Sequence, residues 1–328
     1  MPYAIQSFQT QNKAVLESAL ALNSNTARIE VQMLLQQVLG VSRAHLLAHP
    51  EQVLDDAQEA SYRALLQRRL KGEPLAYILG EREFFGLNFK VTPATLIPRP
   101  ETELLVELAL ERIPSPLPLS REREREERSG GRGAFRVLDL GTGSGAIALA
   151  IARARPDVEV TAVDASPEAL EVARENALRL LVQHEPAHIS TKPLVLSEVE
   201  GSVRTDILIA NVRLLCSDWF SALAGERFDL IVSNPPYIAE GDAHLAQGDL
   251  RFEPHGALAS GADGLDDIRR IVAQAKDHLN PGGWLLFEHG YDQATRVREL
   301  LDAAEYAGVF SARDLADIER VSGGAIPR

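Results

Sequence analysis

From residue 135 onward the hydrophobic pattern switches repeatedly between two periods, and few folds accept that. Residues 135–140, 158–163, 212–216, 230–233 and 285–288 are short apolar runs, while residues 147–154, 167–180 and 265–279 carry apolar side chains at helical spacing. Strands separated by helices predict parallel neighbours joined by crossovers. The expected class is therefore α/β, with a mainly parallel sheet covered on both faces. With 328 residues the chain has room for about one further domain.

Residues 1–80 supply it. Ala14, Leu16, Ala19, Leu20 and Leu22 form one apolar helical face, and Ile29, Met33, Leu34, Val38 and Leu39 form another before Gly40. Thr26 is the expected cap of that second helix. A short element around Leu46 and Leu47 ends at Pro50, and a longer helix is expected over 54–71, closed by Gly72 and Pro74. No strand-like alternation interrupts this, so a small helical bundle is predicted. Residues 81–103 form a linker: 84–91 has hairpin composition with Gly86 and Asn88 at its centre, and Pro98 and Pro100 hold the next stretch extended before a helix starting at Glu101 or Thr102. The second domain then occupies 104–328.

Two stretches stand outside this plan. Residues 115–133 run from Pro-rich through alternating Arg and Glu to Gly-rich, with almost nothing to bury, and are expected to be a surface loop. Residues 181–208 are too long for a helix-to-strand connection and are expected to be a second insertion-like loop. Neither is expected to be catalytic.

Composition narrows the functional classes. Cys216 is the single cysteine, so no internal disulfide forms and a reducing, cytoplasmic setting is expected. No basic-then-apolar leader and no apolar run of membrane-spanning length is present, so no membrane association is expected. With 47 acidic against 34 basic residues the net charge is −13, which opposes a grip on long nucleic acid. His45/His49 and His184/His188 are each four apart, but two ligands do not make a zinc site, and no metal is expected.

Three motifs carry chemistry. In Val137-Leu138-Asp139-Leu140-Gly141-Thr142-Gly143-Ser144-Gly145 a buried strand enters a glycine turn that opens a helix. Its glycines let the backbone approach a ligand, and the helix start is expected to offer free N–H groups. Asp164 ends the next strand, where a carboxylate accepts from both hydroxyls of a ribose. The spacing Gly141, Gly143, Ala146 also satisfies a dinucleotide pattern, so at this point a nicotinamide cofactor remains open. Asn234-Pro235-Pro236-Tyr237 follows the strand that ends at Ser233. Asn234 offers an acceptor and a donor, the prolines free the Pro235 carbonyl, and Tyr237 offers an aromatic face. Together they suit a planar NH2 group.

These residues resemble the Rossmann-like class I methyltransferases that use S-adenosyl-L-methionine. Read in order, Pro98-Arg99-Pro100-Glu101-Thr102-Glu103, the glycine turn, Ser217-Asp218-Trp219-Phe220, Asn234 to Tyr237, Arg251-Phe252-Glu253-Pro254 and Glu288-His289-Gly290 resemble the HemK/PrmC family of release-factor glutamine methyltransferases. The resemblance implies a helical N-terminal domain that docks peptide chain release factors. It implies that Gly141, Thr142, Gly143, Ser144, Gly145, Asp164, Trp219 and Asn234 line the cofactor, with Asp218 accepting from the adenine amino group and Trp219 or Phe220 on the ring. It implies that Asn234, Pro235, Pro236 and Tyr237 hold a glutamine of a Gly-Gly-Gln motif, Asn234 and the Pro235 carbonyl acting on its amide. Two other targets share this chemistry: a glutamine of a large-subunit ribosomal protein, and an adenine amino group of a nucleic acid. Roles for Arg99, Glu101 and Glu103 are either ordering the substrate loop or surface pairing.

Overall fold

The computed structural model describes residues 4–115, 134–182, 196–198 and 205–328. The chain divides into two compact units: residues up to Glu81 together with Gln247–Phe252, and Arg82–Ala246 together with Glu253–Arg328.

The first unit is all helical, with helices Ile5–Leu20, Ser24–Leu39, Arg43–Ala48, Asp56–Leu70 and Leu75–Leu79. Thr26 does not cap the second; Asn23 does, its side chain accepting from the N–H groups of Asn25 and Thr26. Asp55 and Gln58 form a reciprocal capping box on the fourth helix. The core collects Phe8, Leu16, Leu34, Leu35, Tyr62 and Leu66, with Phe8 edge-on to Tyr62 at 4.7 Å.

Inside this unit Arg69 forms a two-pronged ion pair with Glu30, at 2.8 and 3.0 Å. The side chains are 8% and 9% exposed, so water cannot replace a lost partner. Arg69 also donates to the Glu73 carbonyl at 3.1 Å and stands 3.5 Å from Asp249, so Glu30→Ala leaves the guanidinium under-partnered and is expected to cost about 1–3 kcal/mol of stability. Replacing both residues by apolar ones is expected to cost much less, and urea unfolding of single and double variants checks both statements.

The second unit begins with the expected hairpin, β1 (Glu81–Phe84) and β2 (Leu87–Lys90). Its centre is a nine-stranded sheet. β3 (Arg136–Leu140), β4 (Glu159–Asp164), β7 (Val212–Cys216), β8 (Phe228–Ser233) and β9 (Leu279–Glu288) run parallel in the spatial order β9-β8-β3-β4-β7. The helices Ala146–Ala154, Pro167–Ala177 and Asp266–His278 supply the crossovers. Antiparallel β11 (Glu319–Ala325) and β10 (Ala307–Arg313) extend the β9 edge. The sequence reading missed both. β11 contains the paired Gly323 and Gly324, a poor strand signature, and Cβ atoms at these positions would collide with the Leu285 carbonyl and the Tyr306 side chain. Close backbone approach selects glycine here against strand propensity.

The expectation of a plain loop over 181–208 needs correction. β5 (Leu196–Glu198) and β6 (Thr205–Ile209) are strands, and β6 pairs antiparallel with β7, adding two strands to that edge of the sheet. The alternation in Asp206-Ile207-Leu208-Ile209 explains it: Ile209 is buried and Ile207 packs on the core, while Leu208 is exposed. The rest of that stretch, including His184 and His188, and all of 115–133 beyond Ser115 lie outside the described residues. No helix among the described residues is long and apolar enough to cross a membrane.

Two apolar layers sandwich the sheet. Leu105, Val137, Leu149, Ile151, Val160 and Leu230 belong to one, and Leu138, Leu140, Ile231, Ile268, Leu285 and Phe287 to the other. β3 has its sequence neighbour β4 on one side and the distant β8 on the other, so chain direction across the sheet reverses there. In open α/β sheets that switch point opens a crevice at the carboxyl ends of the strands.

Candidate active site

The carboxyl ends of five parallel strands deliver the polar residues to one region. Gly141 follows β3, Asp164 ends β4, Ser217, Asp218 and Trp219 follow β7, Asn234 follows β8, and Glu288 ends β9. The register makes them neighbours: Leu140 lies beside both Val163 and Ser233, Asp164 beside Cys216, and Ser233 beside Phe287.

A cavity of about 510 Å³ opens there. Of the residues singled out from sequence, Gly141, Thr142, Gly143, Ser144, Asp164, Asp218, Trp219, Asn234 and Pro236 line it. Gly145, Pro235 and Tyr237 are not among its lining residues. Gly145 has φ of +84°, and a Cβ there would press on Leu149 and Ala173, so this glycine serves helix packing. Pro235 is buried and Tyr237 partly buried.

Within the glycine turn itself three N–H groups are already engaged: Gly141 and Thr142 both donate to the Val163 carbonyl at 2.9 Å, and Gly143 donates to Asp164 Oδ2 at 2.8 Å. Asp164 is held from both sides, its Oδ1 accepting from Ser166 N–H at 2.9 Å. Burial pushes its carboxyl up, and these N–H groups draw it back. Each oxygen keeps a lone pair for a further donor. Beneath the turn, Asp139 is fully buried. One of its oxygens accepts from the Thr142 hydroxyl and Ala148 N–H, the other has no partner, and burial pushes its carboxyl up to about 7.

Trp219 has φ of +49°, a strained value for a bulky residue, and its ring lies against Gly141. Its indole N–H donates to Asp267 at 3.2 Å, which leaves the ring to the cavity. Phe220, the other aromatic expected at a ligand ring, is buried and stacked on His278 instead. The Asp218 carboxylate takes both prongs of Arg270, at 2.9 and 2.8 Å, so it enters the cavity wall already paired.

Asn176 is not singled out by the sequence, and the partners of Arg99, Thr102, Glu103 and Glu253 are not legible there. Asn176, fully buried, accepts from Lys90 N–H and donates to the carbonyls of Lys90 and Ser144, tying the hairpin to the glycine turn. Buried Glu253 accepts from Ile97 N–H and pairs with Arg99, while Glu103 accepts from Phe85 N–H at 2.9 Å. Thr102, read as a helix start, caps nothing; its hydroxyl donates to Glu288 at 2.6 Å. Helical or extended spacing carries no signal for these partners, which lie 18 to 186 residues away. No group of three or more His, Cys, Asp or Glu among the described residues is placed to hold a metal ion, and His45 and His49 simply stack at 4.2 Å.

The cavity fits S-adenosylmethionine in kind. Its volume suits a nucleoside-sized ligand, one carboxylate with spare lone pairs stands where a ribose is held, and its wall is mostly apolar around an indole ring.

Comparison with known proteins agrees. Residues 13–80 match the PrmC N-terminal domain family, and residues 132–185 match a methyltransferase domain family. A release factor glutamine methyltransferase of Burkholderia pseudomallei is 50% identical over 300 residues, covering 91% of this chain and 92% of that protein. That of Escherichia coli K12 is 44% identical over 301 residues, covering 92% and 93%. Among solved structures, the catalytic domain of hMettl16 in complex with the MAT2A 3′UTR hairpin 6 aligns with a TM-score of 0.51 at 13% identity, over 80% of this chain and 82% of that one, a likeness of fold alone. With 44–50% of its residues identical to these relatives over more than nine tenths of its length, the chain belongs to the release factor glutamine methyltransferase family.

Proposed function

We propose that this protein transfers a methyl group from S-adenosylmethionine to the side-chain amide nitrogen of the glutamine in the Gly-Gly-Gln motif of peptide chain release factors, in the cytoplasm. One observation carries the reading beyond family membership: Asp164 and Asn234, from strands two apart, line a single cavity.

Bound there, S-adenosylmethionine supplies a methyl group already activated by its sulfonium. The difficulty lies with the acceptor, because the amide lone pair is delocalised into its carbonyl. Asn234 Oδ1 and the Pro235 carbonyl accept the two hydrogens of the glutamine NH2. They thereby set the nitrogen in line and favour positive charge developing on it. The apolar wall excludes water. No strong base is required, since the N-methylated, protonated amide loses its proton readily to water. Asp164 and the glycine turn hold the cofactor, and Trp219 packs on its ring. The net charge of −13 supports a protein over a nucleic-acid target.

Incubation with labelled S-adenosylmethionine and candidate release factors, followed by mapping of the modified residue, tests this. Label on the Gly-Gly-Gln glutamine is expected. Label on a ribosomal protein, or on adenine in nucleic acid, would replace the substrate named here.

The helical unit is the proposed docking surface for the body of the release factor. Ile29 and Met33, one turn apart on helix Ser24–Leu39, expose apolar side chains. Ile29→Glu with Met33→Glu is expected to raise KM for an intact release factor about tenfold, a typical cost for an interface anchor, and to leave KM for a short Gly-Gly-Gln peptide unchanged. Equal effects on both substrates would reduce the unit to scaffold.

A further inference from the structure

We propose that Glu288 and Thr102 are positioning residues that decide which end of the Asn234 side-chain amide faces the cavity. This deepens the glutamine reading above and rests on it for its kinetic consequence.

Glu288 is 1% exposed and Thr102 4%. Glu288 Oε2 accepts the Thr102 hydroxyl at 2.6 Å, and its Oε1 accepts the Tyr237 hydroxyl at 3.1 Å. Burial pushes the Glu288 carboxyl up, and the Thr102 and Tyr237 hydroxyls and the Arg320 charge draw it back; two hydroxyl donors on one carboxyl group suit its ionised form, because a protonated Glu288 would itself be a donor and turn one of them round. Thr102 has one hydroxyl proton, and it is committed to Glu288. Only lone pairs of Oγ1 remain, and Asn234 Nδ2 donates to them at 3.1 Å.

The chain of donors therefore has a single direction: Asn234 NH2 to Thr102 to Glu288. With the Asn234 amide turned over, Oδ1 would face an oxygen that has no proton to give. If Thr102 swung its proton to Asn234 instead, a buried carboxylate oxygen would lose its donor, which costs more than a neutral group left unsatisfied. Nδ2 is thus committed to Thr102, which lines the same cavity, and Oδ1 is the end of the Asn234 amide left free for a ligand there. The same carboxylate anchors the other end of the motif through Tyr237. The Tyr237 carbonyl is fixed separately by Gln293 Nε2 at 2.9 Å, and Gln293 Oε1 in turn accepts from Gly290 N–H. One buried carboxylate so orients both polar side chains of Asn234-Pro235-Pro236-Tyr237, and neither Glu288 nor Thr102 needs to act on substrate to do so.

Thr102→Val deletes the donor relay at constant shape, and Thr102→Ser keeps it. Selective nitrogen-15 labelling of asparagine, with Asn234→Ala for assignment, reads the Asn234 NH2 directly in the protein without substrate or cofactor. One proton is expected downfield and slow to exchange in the wild type and in Thr102→Ser, and at exposed-amide values in Thr102→Val and Glu288→Gln. Two exposed-like protons in the wild type would overturn the orientation, whatever the enzyme methylates. In turnover, Thr102→Val is expected to lower kcat about 10- to 100-fold, the scale of a small misplacement at a reacting centre, with KM near wild type, a lowered melting temperature because buried Glu288 Oε2 loses its donor, and Thr102→Ser restoring both. In an Asn234→Ala background the same substitution should cost less than about twofold, because coupled residues are not additive. Full additivity would mean that Thr102 acts without Asn234 and would overturn the proposal. Glu288→Gln, if it fails to fold, is replaced by the Thr102 pair without loss of either readout.

Discussion

Asn234→Ala is expected to lower kcat by on the order of a hundredfold or more, about 2.7–4 kcal/mol, the scale of losing one polar group that meets developing charge in an active site. Cofactor affinity should fall much less, because the glycine turn, Asp164 and Trp219 line the cavity independently of it. Asn234→Asp separates the two ends of the amide. It keeps an acceptor for the substrate but removes the NH2 that donates to Thr102. Acceptance from substrate as the main contribution predicts more activity for Asp than for Ala. A second carboxylate beside the Thr102–Glu288 pair, however, competes for the single hydroxyl proton, so Asp is expected to remain well below wild type. Single-turnover methylation of a release factor by the three proteins measures this. Wild-type rates in Asn234→Ala would remove the central residue of the proposed chemistry.

Asp164→Ala is expected to weaken S-adenosylmethionine binding at least tenfold. A hydrogen bond to a charged acceptor is worth about 1.5–3 kcal/mol, and two ribose hydroxyls are at stake. A second effect comes from the protein itself: the Gly143 and Ser166 N–H groups lose their acceptor, so the glycine turn loosens as well. Asp164→Asn distinguishes the two effects, since its carbonyl still accepts from one N–H while the charge is gone. Calorimetric titration should rank the affinities wild type, Asn, Ala, and melting temperatures should show a deficit mainly in Ala. Unchanged affinity in Ala would place the ribose elsewhere.

The α/β plan was legible because burial on both sides of a parallel sheet demands continuous apolar runs, as in Val137-Leu138 and Leu230-Ile231-Val232, each answered by a helical stretch. The cavity's position was legible too, since a glycine turn, Asp164 and Asn234 each follow such a run, and the ends of parallel strands share one edge. The antiparallel extensions were not. The alternation of β6 spans only Asp206 to Ile209 at the end of a stretch that reads as an insertion, and β11 depends on glycines chosen for close approach rather than on strand formers.

The residues of one motif, read in order along the chain, supply the chemistry proposed for that site: an acceptor, a donor and a proline-fixed carbonyl for a planar NH2. Which way each of them points is a different matter. Thr102, Asn234, Tyr237 and Glu288 come from three distant parts of the chain: the register of β8 and β9 brings the Asn234 motif beside Glu288, and Thr102 joins them from the start of helix Glu103–Arg112. The same pairing buries Glu288, and a buried carboxylate must be given donors. Tertiary structure alone supplied those donors, and with them the direction of every hydrogen bond from Glu288 back to Asn234. Spacing along a chain encodes which residues share a helix face or a strand face. It does not encode which buried group is owed a proton by which neighbour.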